Sequence, residues 1–199
     1  MTDMIPLHSL SKEEARKQFE HYTKVLGLKH VFSFDEVWDT LAKERAKKQF
    51  RDSITTFEKE FAKVPGVLGK DPFPLVHTFA GGLYIRHLTV PPDTLTVTRI
   101  HKSEHAFFLQ KGTISILTEE GVKRFTAPYN GITKIGTKRI IYHHDEVIFI
   151  TVHATKETTV EKAEEELFTD DFDDVTALEN KAKQFIIDVK QEDLCRQLD

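Results

Sequence analysis

Hydrophobic positions change their spacing twice along the chain. In the first stretch, to about Val64, they recur at helical intervals. Phe19, Tyr22, Val25 and Leu26 form one apolar stripe, with Ser11 and Glu14 before it as a capping-box pair and Gly27 as a plausible stop. Ser33 and Glu36 repeat the pair ahead of Phe34, Trp38 and Leu41. Phe50, Ile54, Phe57, Phe61 and Val64 then alternate steps of four and three, a short heptad-like stripe. It suits helices packed on their own chain, or a seam with a second helix. Pro65 and Gly66 end this region.

From about residue 73 the period falls to two. Leu83 to Val90 is apolar and β-rich, and Pro91, Pro92 and Asp93 follow as a turn. Alternation continues through Leu95–His101, His105–Gln110, Thr113–Leu117, Val122–Thr126, Lys138–Tyr142 and Glu146–Val152. Gly112, Glu120-Gly121, Asn130-Gly131, Gly136 and His144-Asp145 punctuate these runs as turns. Many short strands with no helix between them predict an all-β sandwich or barrel rather than a parallel α/β sheet. Helical spacing returns after Thr158, which pairs with Glu161 as a third capping box. An acidic loop, Thr169–Asp174, and a helix over Ala177–Ile187 follow. The loop lacks the glycine and distal glutamate of a calcium-binding EF-hand. The expected organisation is a helical region over 1–66, a barrel over 73–155 and a helical extension over 156–199.

Composition narrows the function classes. Of 199 residues 30% are charged, with a net charge of −4, so no basic footprint for nucleic acid is expected. No run approaches the roughly 20 apolar residues of a membrane span. The single cysteine, Cys195, rules out an internal disulfide and sits in no evident activating pocket. A cytoplasmic protein is the expectation.

The ten histidines carry the chemistry. His101 ends one run and His105 opens the next, a hairpin that would bring both imidazoles to one strand end. His153 closes the last long run on the same parity as Thr151, Phe149 and Val147. His101 shares parity with Arg99, Val97 and Leu95, and His105 with Phe107 and Leu109. Three neutral imidazoles at a barrel mouth would suit zinc, iron, nickel or copper. The same residues could instead form structural hydrogen bonds or touch a ligand without metal. Glu104 and Tyr142 are candidate proton-moving groups. Arg99 and Arg139 are candidate anion anchors. Tyr84, which shares parity with Arg86, is a candidate cavity-lining group. His143 and His144 stand at a strand end with opposed parities. Gly81-Gly82 reads as a turn leading into a strand.

Residues 83 to 155 resemble the cupin superfamily. The stretch from Thr96 to Gly112 fits the first cupin motif: Arg99 falls on its first histidine, His101 on its second, His105 on its glutamate and Gly112 on its glycine. In the second motif Gly136 is in place and Arg139 stands where a histidine is usual. One of the four usual ligands is thus kept in kind, and another is replaced by a histidine. Ile100–His105, Gly112, Glu119–Gly121, Ala127-Pro128, Gly136–Arg139 and Thr151–His153 are similar to a divergent subgroup of small cupin-like proteins often encoded by tailed phages. That resemblance implies a mainly β fold with flanking helices, built on a cupin-type double-stranded β-helix (jelly-roll) barrel. It implies a divalent transition metal (Zn, Fe, Ni or Mn) on His101, His105 and His153, a small polar or anionic ligand, and a homodimer in the cytoplasm, a host's if phage-encoded. Metal-dependent oxygenation, isomerisation and hydrolysis all suit such a barrel. Non-catalytic small-molecule binding, or a structural role with the barrel as scaffold, are the alternatives.

Overall fold

Reciprocal serine–glutamate bonds start both N-terminal helices. Ser11 Oγ donates to Glu14 Oε2 at 2.6 Å while the Glu14 N–H donates back to Ser11 Oγ at 3.4 Å, which opens α1 (Lys12–Val25). Ser33 and Glu36 do the same, at 2.7 and 3.2 Å, for α2 (Phe34–Phe61). The computed structural model describes residues 10–25, 33–67 and 72–178. It divides into units of residues 1–53 and 54–199. In the first unit Phe34 stacks on Trp38 at 5.7 Å and meets Phe19 edge-on at 5.7 Å. Asp35 ties the helices by accepting from Lys12 and Arg16. Leu26 and Gly27, expected to finish α1, lie outside the described residues. Of the heptad-like stripe, Ile54 is buried, Phe57 stacks on Phe61 at 5.4 Å, and Val64 lies beyond the helix, half exposed.

The second unit holds the barrel. Its strands are β1 (Leu75–Ala80), β2 (Leu83–Val90), β3 (Thr94–Val97), β4 (Ile100–His101), β5 (His105–Lys111), β6 (Thr113–Thr118), β7 (Gly121–Thr126), β8 (Tyr129–Thr133), β9 (Ile140–His143) and β10 (Val147–Ala154). Helix α3 (Val160–Leu167) and a short β11 (Phe168–Thr169) follow, and 172–178 is helical. One sheet runs β1-β2-β10-β5-β8, the facing one β3-β9-β6-β7, and β11 pairs with β4. Every pairing is antiparallel. Leaving out β1, β4 and β11, the eight remaining strands are shared between two four-stranded sheets in the order of a jelly roll, changing sheet at every connection except the β6–β7 hairpin. This is the double-stranded β-helix that the period-two runs anticipate.

The inner faces bury Val90, Leu109, Ile114, Ile116, Ile141 and Val147 as one core cluster. Tyr84, Ala163, Leu167 and Phe168 form a second at the end covered by α3. Two glycines are fixed by close approach. A Cβ at Gly112, whose φ is +86°, would stand 2.6 Å from the Glu146 carbonyl. A Cβ at Gly131 would stand 2.8 Å from the Phe107 ring.

Several sequence expectations change here. Asn130-Gly131 is not a turn but the middle of β8, where glycine makes room for Phe107. Strand β1, unread in the sequence, pairs with β2 through Gly81 and Gly82, both at positive φ, as a two-residue hairpin turn requires. The run Leu95–His101 breaks at Thr98 and Arg99, and the Arg139 N–H donates to Thr98 Oγ1 there at 3.0 Å. Strand β9 therefore begins at Ile140 rather than Lys138. His101 and His105 are not hairpin partners: β4 pairs with β11, and β5 with β10 and β8. The third capping pair does not form, because α3 has Thr159 as its N-cap with no side-chain cap bond. The acidic loop feeds the helical residues 172–178, and most of the helix expected over Ala177–Ile187, like Cys195, lies outside the described residues.

Candidate metal centre

Strand parity turns three histidines inward. On β10, Val147, Phe149, Thr151 and His153 share the inner face, and His153 lies opposite Tyr84 of β2. On β5, His105 begins the face that continues through the buried Phe107 and Leu109. His101 is held by its backbone, which accepts from the Gly136 N–H at 2.8 Å and donates to the Thr137 carbonyl at 3.2 Å. Ring centroids stand 4.3 Å apart for His101–His105, 4.1 Å for His105–His153 and 5.9 Å for His101–His153. One ring nitrogen from each lies within 4.8 Å of the other two. The residues are 8%, 5% and 0% exposed in chain order.

Their electrostatics favour the neutral ring. Burial holds His101 well below the usual histidine range, reinforced by His105 and His153 and by Arg86 and Arg139. Burial brings His105 down to about 4 against the pull of the Ser103 carbonyl, with Arg139 and Arg86 adding to the lowering. His153 falls to about 3 through burial, then His105 and Arg86. Neutral imidazole is the metal-ligating form. The Nδ1 atoms of all three are buried with no hydrogen-bond partner. His153 is otherwise anchored by Nε2 to Thr151 Oγ1 at 3.0 Å, and His105 is drawn to the Ser103 carbonyl. Buried nitrogens left without partners are costly and call for an acceptor of their lone pairs. The cluster could hold a metal ion, and this donor set suits zinc, iron, nickel or manganese.

A polar layer supported by α3 covers one side. The Phe168 ring meets His101 edge-on at 5.1 Å and His153 at 5.4 Å. The guanidinium carbons of Arg86 and Arg99 stand over the same ring at 4.9 and 5.3 Å. Glu164 neutralises both arginines, at 3.3 and 3.6 Å, and accepts from the Tyr84 hydroxyl at 3.5 Å. That hydroxyl also bonds His77 Nδ1 at 2.6 Å. Burial, opposed by Arg86 and aided by Glu164, pushes the Tyr84 phenol up to about 12, so it stays protonated at neutral pH.

Arg139 approaches from the loop before β9. Its Nη1 donates to Thr133 Oγ1 at 3.4 Å, and its guanidinium carbon stands 5.9 Å from the Phe107 ring centre. Thr133 is the register partner of His105. Burial lowers the Arg139 pKa, while Glu119 and Tyr129 act on it only through space.

Of the sequence candidates, the structure brings together His101, His105 and His153, with Tyr84, Arg99 and Arg139 around them. Glu104 and Tyr142 are not turned inward with them. Glu104 is exposed on the loop before β5. Tyr142 has opposite parity to the buried His143, and its hydroxyl donates to Asp93 at 2.8 Å. His143 bonds the Thr94 carbonyl and His144 bonds Ser115, so both are structural. Glu164 and Phe168 escape sequence reading because nothing local marks them as neighbours of arginines some 65 to 80 residues earlier. Thr133 lies in the strand that was read as a turn. Among the described residues no helix is long and apolar enough to cross a membrane.

No protein-family model matches the chain, and no curated protein matches it. Solved structures do. An RmlC-like cupin family protein with a double-stranded β-helix fold from Methanocaldococcus jannaschii is 15% identical, over 45% of this chain and 87% of that one, with a TM-score of 0.36. A cupin 2 domain-containing protein from Halorhodospira halophila is 12% identical, over 48% and 72%, with a TM-score of 0.39. An acetylacetone dioxygenase from Acinetobacter johnsonii is 17% identical, over 46% and 71%, with a TM-score of 0.37. The chain's own strand order carries the conclusion about fold: a mainly β protein with flanking helices, built on a double-stranded β-helix (jelly-roll) barrel with three histidines gathered together.

Proposed function

We propose that the barrel binds one divalent transition-metal ion on His101, His105 and His153 and uses it to hold a small polar molecule. The observation that carries this is the set of three buried Nδ1 atoms with no hydrogen-bond partner, on rings that burial keeps neutral. A structural role would be expected to satisfy those nitrogens within the protein. When bound, such an ion supplies Lewis acidity to an oxygen of the molecule. The chain's own groups do the rest. Phe168 and the Arg86–Glu164–Arg99 layer close one side to water, and Glu164 with His77 holds the Tyr84 hydroxyl in place.

Whether the bound molecule is also turned over divides this reading. Two observations favour binding without turnover: Glu104 is exposed and Tyr142 is bonded to Asp93, and Tyr84 is held protonated.

The test is metal analysis of protein purified without a histidine tag, beside the His101→Ala variant. One equivalent of a transition metal in the wild type and its loss in the variant is the expected result. Metal-free protein that takes up no zinc, iron, nickel or manganese on dialysis would overturn the proposal.

A further inference from the structure

Arg139 is partly buried beside the histidines, and its charge meets no carboxylate at ion-pair distance among the described residues, Glu119 acting on it only through space. It forms no ion pair among the described residues, and its one side-chain hydrogen bond, to Thr133, is long at 3.4 Å. The two other arginines near the histidines differ, since Arg86 and Arg99 share the carboxylate of Glu164. Taking a guanidinium even partly out of water is unfavourable unless an anion meets it.

Its position next to the cluster is fixed from two directions. Thr133, which it contacts, pairs with His105, and Gly136 and Thr137 of its own loop bond the backbone of His101. Beneath it lies the Phe107 ring, backed by Phe149 at 5.3 Å. That ring has its place only because residue 131 is glycine.

We propose that Arg139 is the anion subsite of the barrel, and that the ligand is a small carboxylate whose acid group docks on its guanidinium and whose body lies over Phe107. One guanidinium offers a planar two-pronged fork and a single positive charge, which matches a carboxylate monoanion. A phosphate dianion would need a second cation, and Arg86 and Arg99 are committed to Glu164. The aromatic floor favours an apolar body behind the acid group. The inference rests on the metal reading for its second anchor point, but the subsite itself consists of protein groups alone.

Titration calorimetry tests it, with benzoate, pyruvate, benzamide and inorganic phosphate added to metal-loaded and to chelator-treated full-length protein. The variants are Arg139→Met and Arg139→Lys, each checked by thermal unfolding. The expected result is carboxylate binding to the wild type, weakened about tenfold or more in Arg139→Met, as loss of a charge-assisted bond implies. Benzamide and phosphate should bind at least that much more weakly than the carboxylates. Arg139→Lys should fall between, because it keeps the charge and loses the fork. If Arg139→Met does not fold, Arg139→Lys decides, and a severalfold loss supports the subsite. Carboxylate affinity unchanged in the folded variant, phosphate preferred over both carboxylates, or no carboxylate binding in either form, overturns it. Arginine-dependent binding by protein that takes up no metal would retain the subsite and discard the metal reading.

Discussion

Replacing His101 with leucine should change the sign of its effect with metal. His101 is 8% exposed, its Nδ1 has no partner, and its ring makes no hydrogen bond to another described side chain. Removing it therefore orphans no other group. Leucine nearly matches the imidazole in volume and suits the contact with Phe168. A buried polar atom without a partner costs about 1–3 kcal/mol. In chelator-treated protein His101→Leu should be neutral or stabilising by about 1 kcal/mol once imperfect packing is set against that relief. In protein given metal at a hundredfold excess over its dissociation constant, the wild type should gain about 2.7 kcal/mol. The variant, lacking one of three ligands, should gain little. Urea unfolding followed by far-ultraviolet circular dichroism, with and without metal, measures all four states. A variant less stable than wild type by more than about 1 kcal/mol in chelator, with the same difference in metal, would refute the reasoning. It would mean that the imidazole is a structural element whose partners are supplied within the protein.

Three other outcomes are expected. Chelated protein should lose stability as pH falls below the ordinary histidine value of 6.5, since the unfolded chain then takes up protons that His105 refuses until about pH 4, His153 until about pH 3, and His101 until well below the usual range. The slope should reach about 1.4 kcal/mol per pH unit for each histidine, with no contribution from them above pH 7; a flat profile from pH 7 to 5 in urea titrations would count against neutral burial. Gly131→Ala should cost about 1–3 kcal/mol, because its Cβ would meet Phe107 at 2.8 Å, and thermal unfolding that matches wild type would show the ring free to move. Glu58→Gln should destabilise by roughly 1–3 kcal/mol, since it deprives the buried Lys138 ammonium, 3% exposed, of its carboxylate; an unchanged urea midpoint would show that the ammonium finds water instead.

Much of the barrel was legible because its strands are half-buried and alternate. Leu83–Val90 and the inward set His105, Phe107 and Leu109 follow directly from period two. The three histidines were legible for the same reason, each continuing an apolar face. The helix starts were legible because Ser11 with Glu14, and Ser33 with Glu36, satisfy backbone N–H groups locally. What failed depended on distant partners. Asn130-Gly131 carries a turn signature, yet the glycine answers to Phe107 across the sheet. The Thr98–Arg99 break depends on Arg139, forty residues on. Glu164 gains its meaning only when α3 packs against β2. Thr158 and Glu161 show the converse: the local pattern is present, but the chain caps the helix at Thr159 instead.

The most direct measurement is anomalous scattering from crystals of the protein loaded with zinc or manganese. One ion bonded to all three imidazoles is expected, with zinc–nitrogen distances of about 2.0–2.1 Å. An ion bound instead among the acidic residues Asp170–Asp174, with the histidines unchanged, would contradict it.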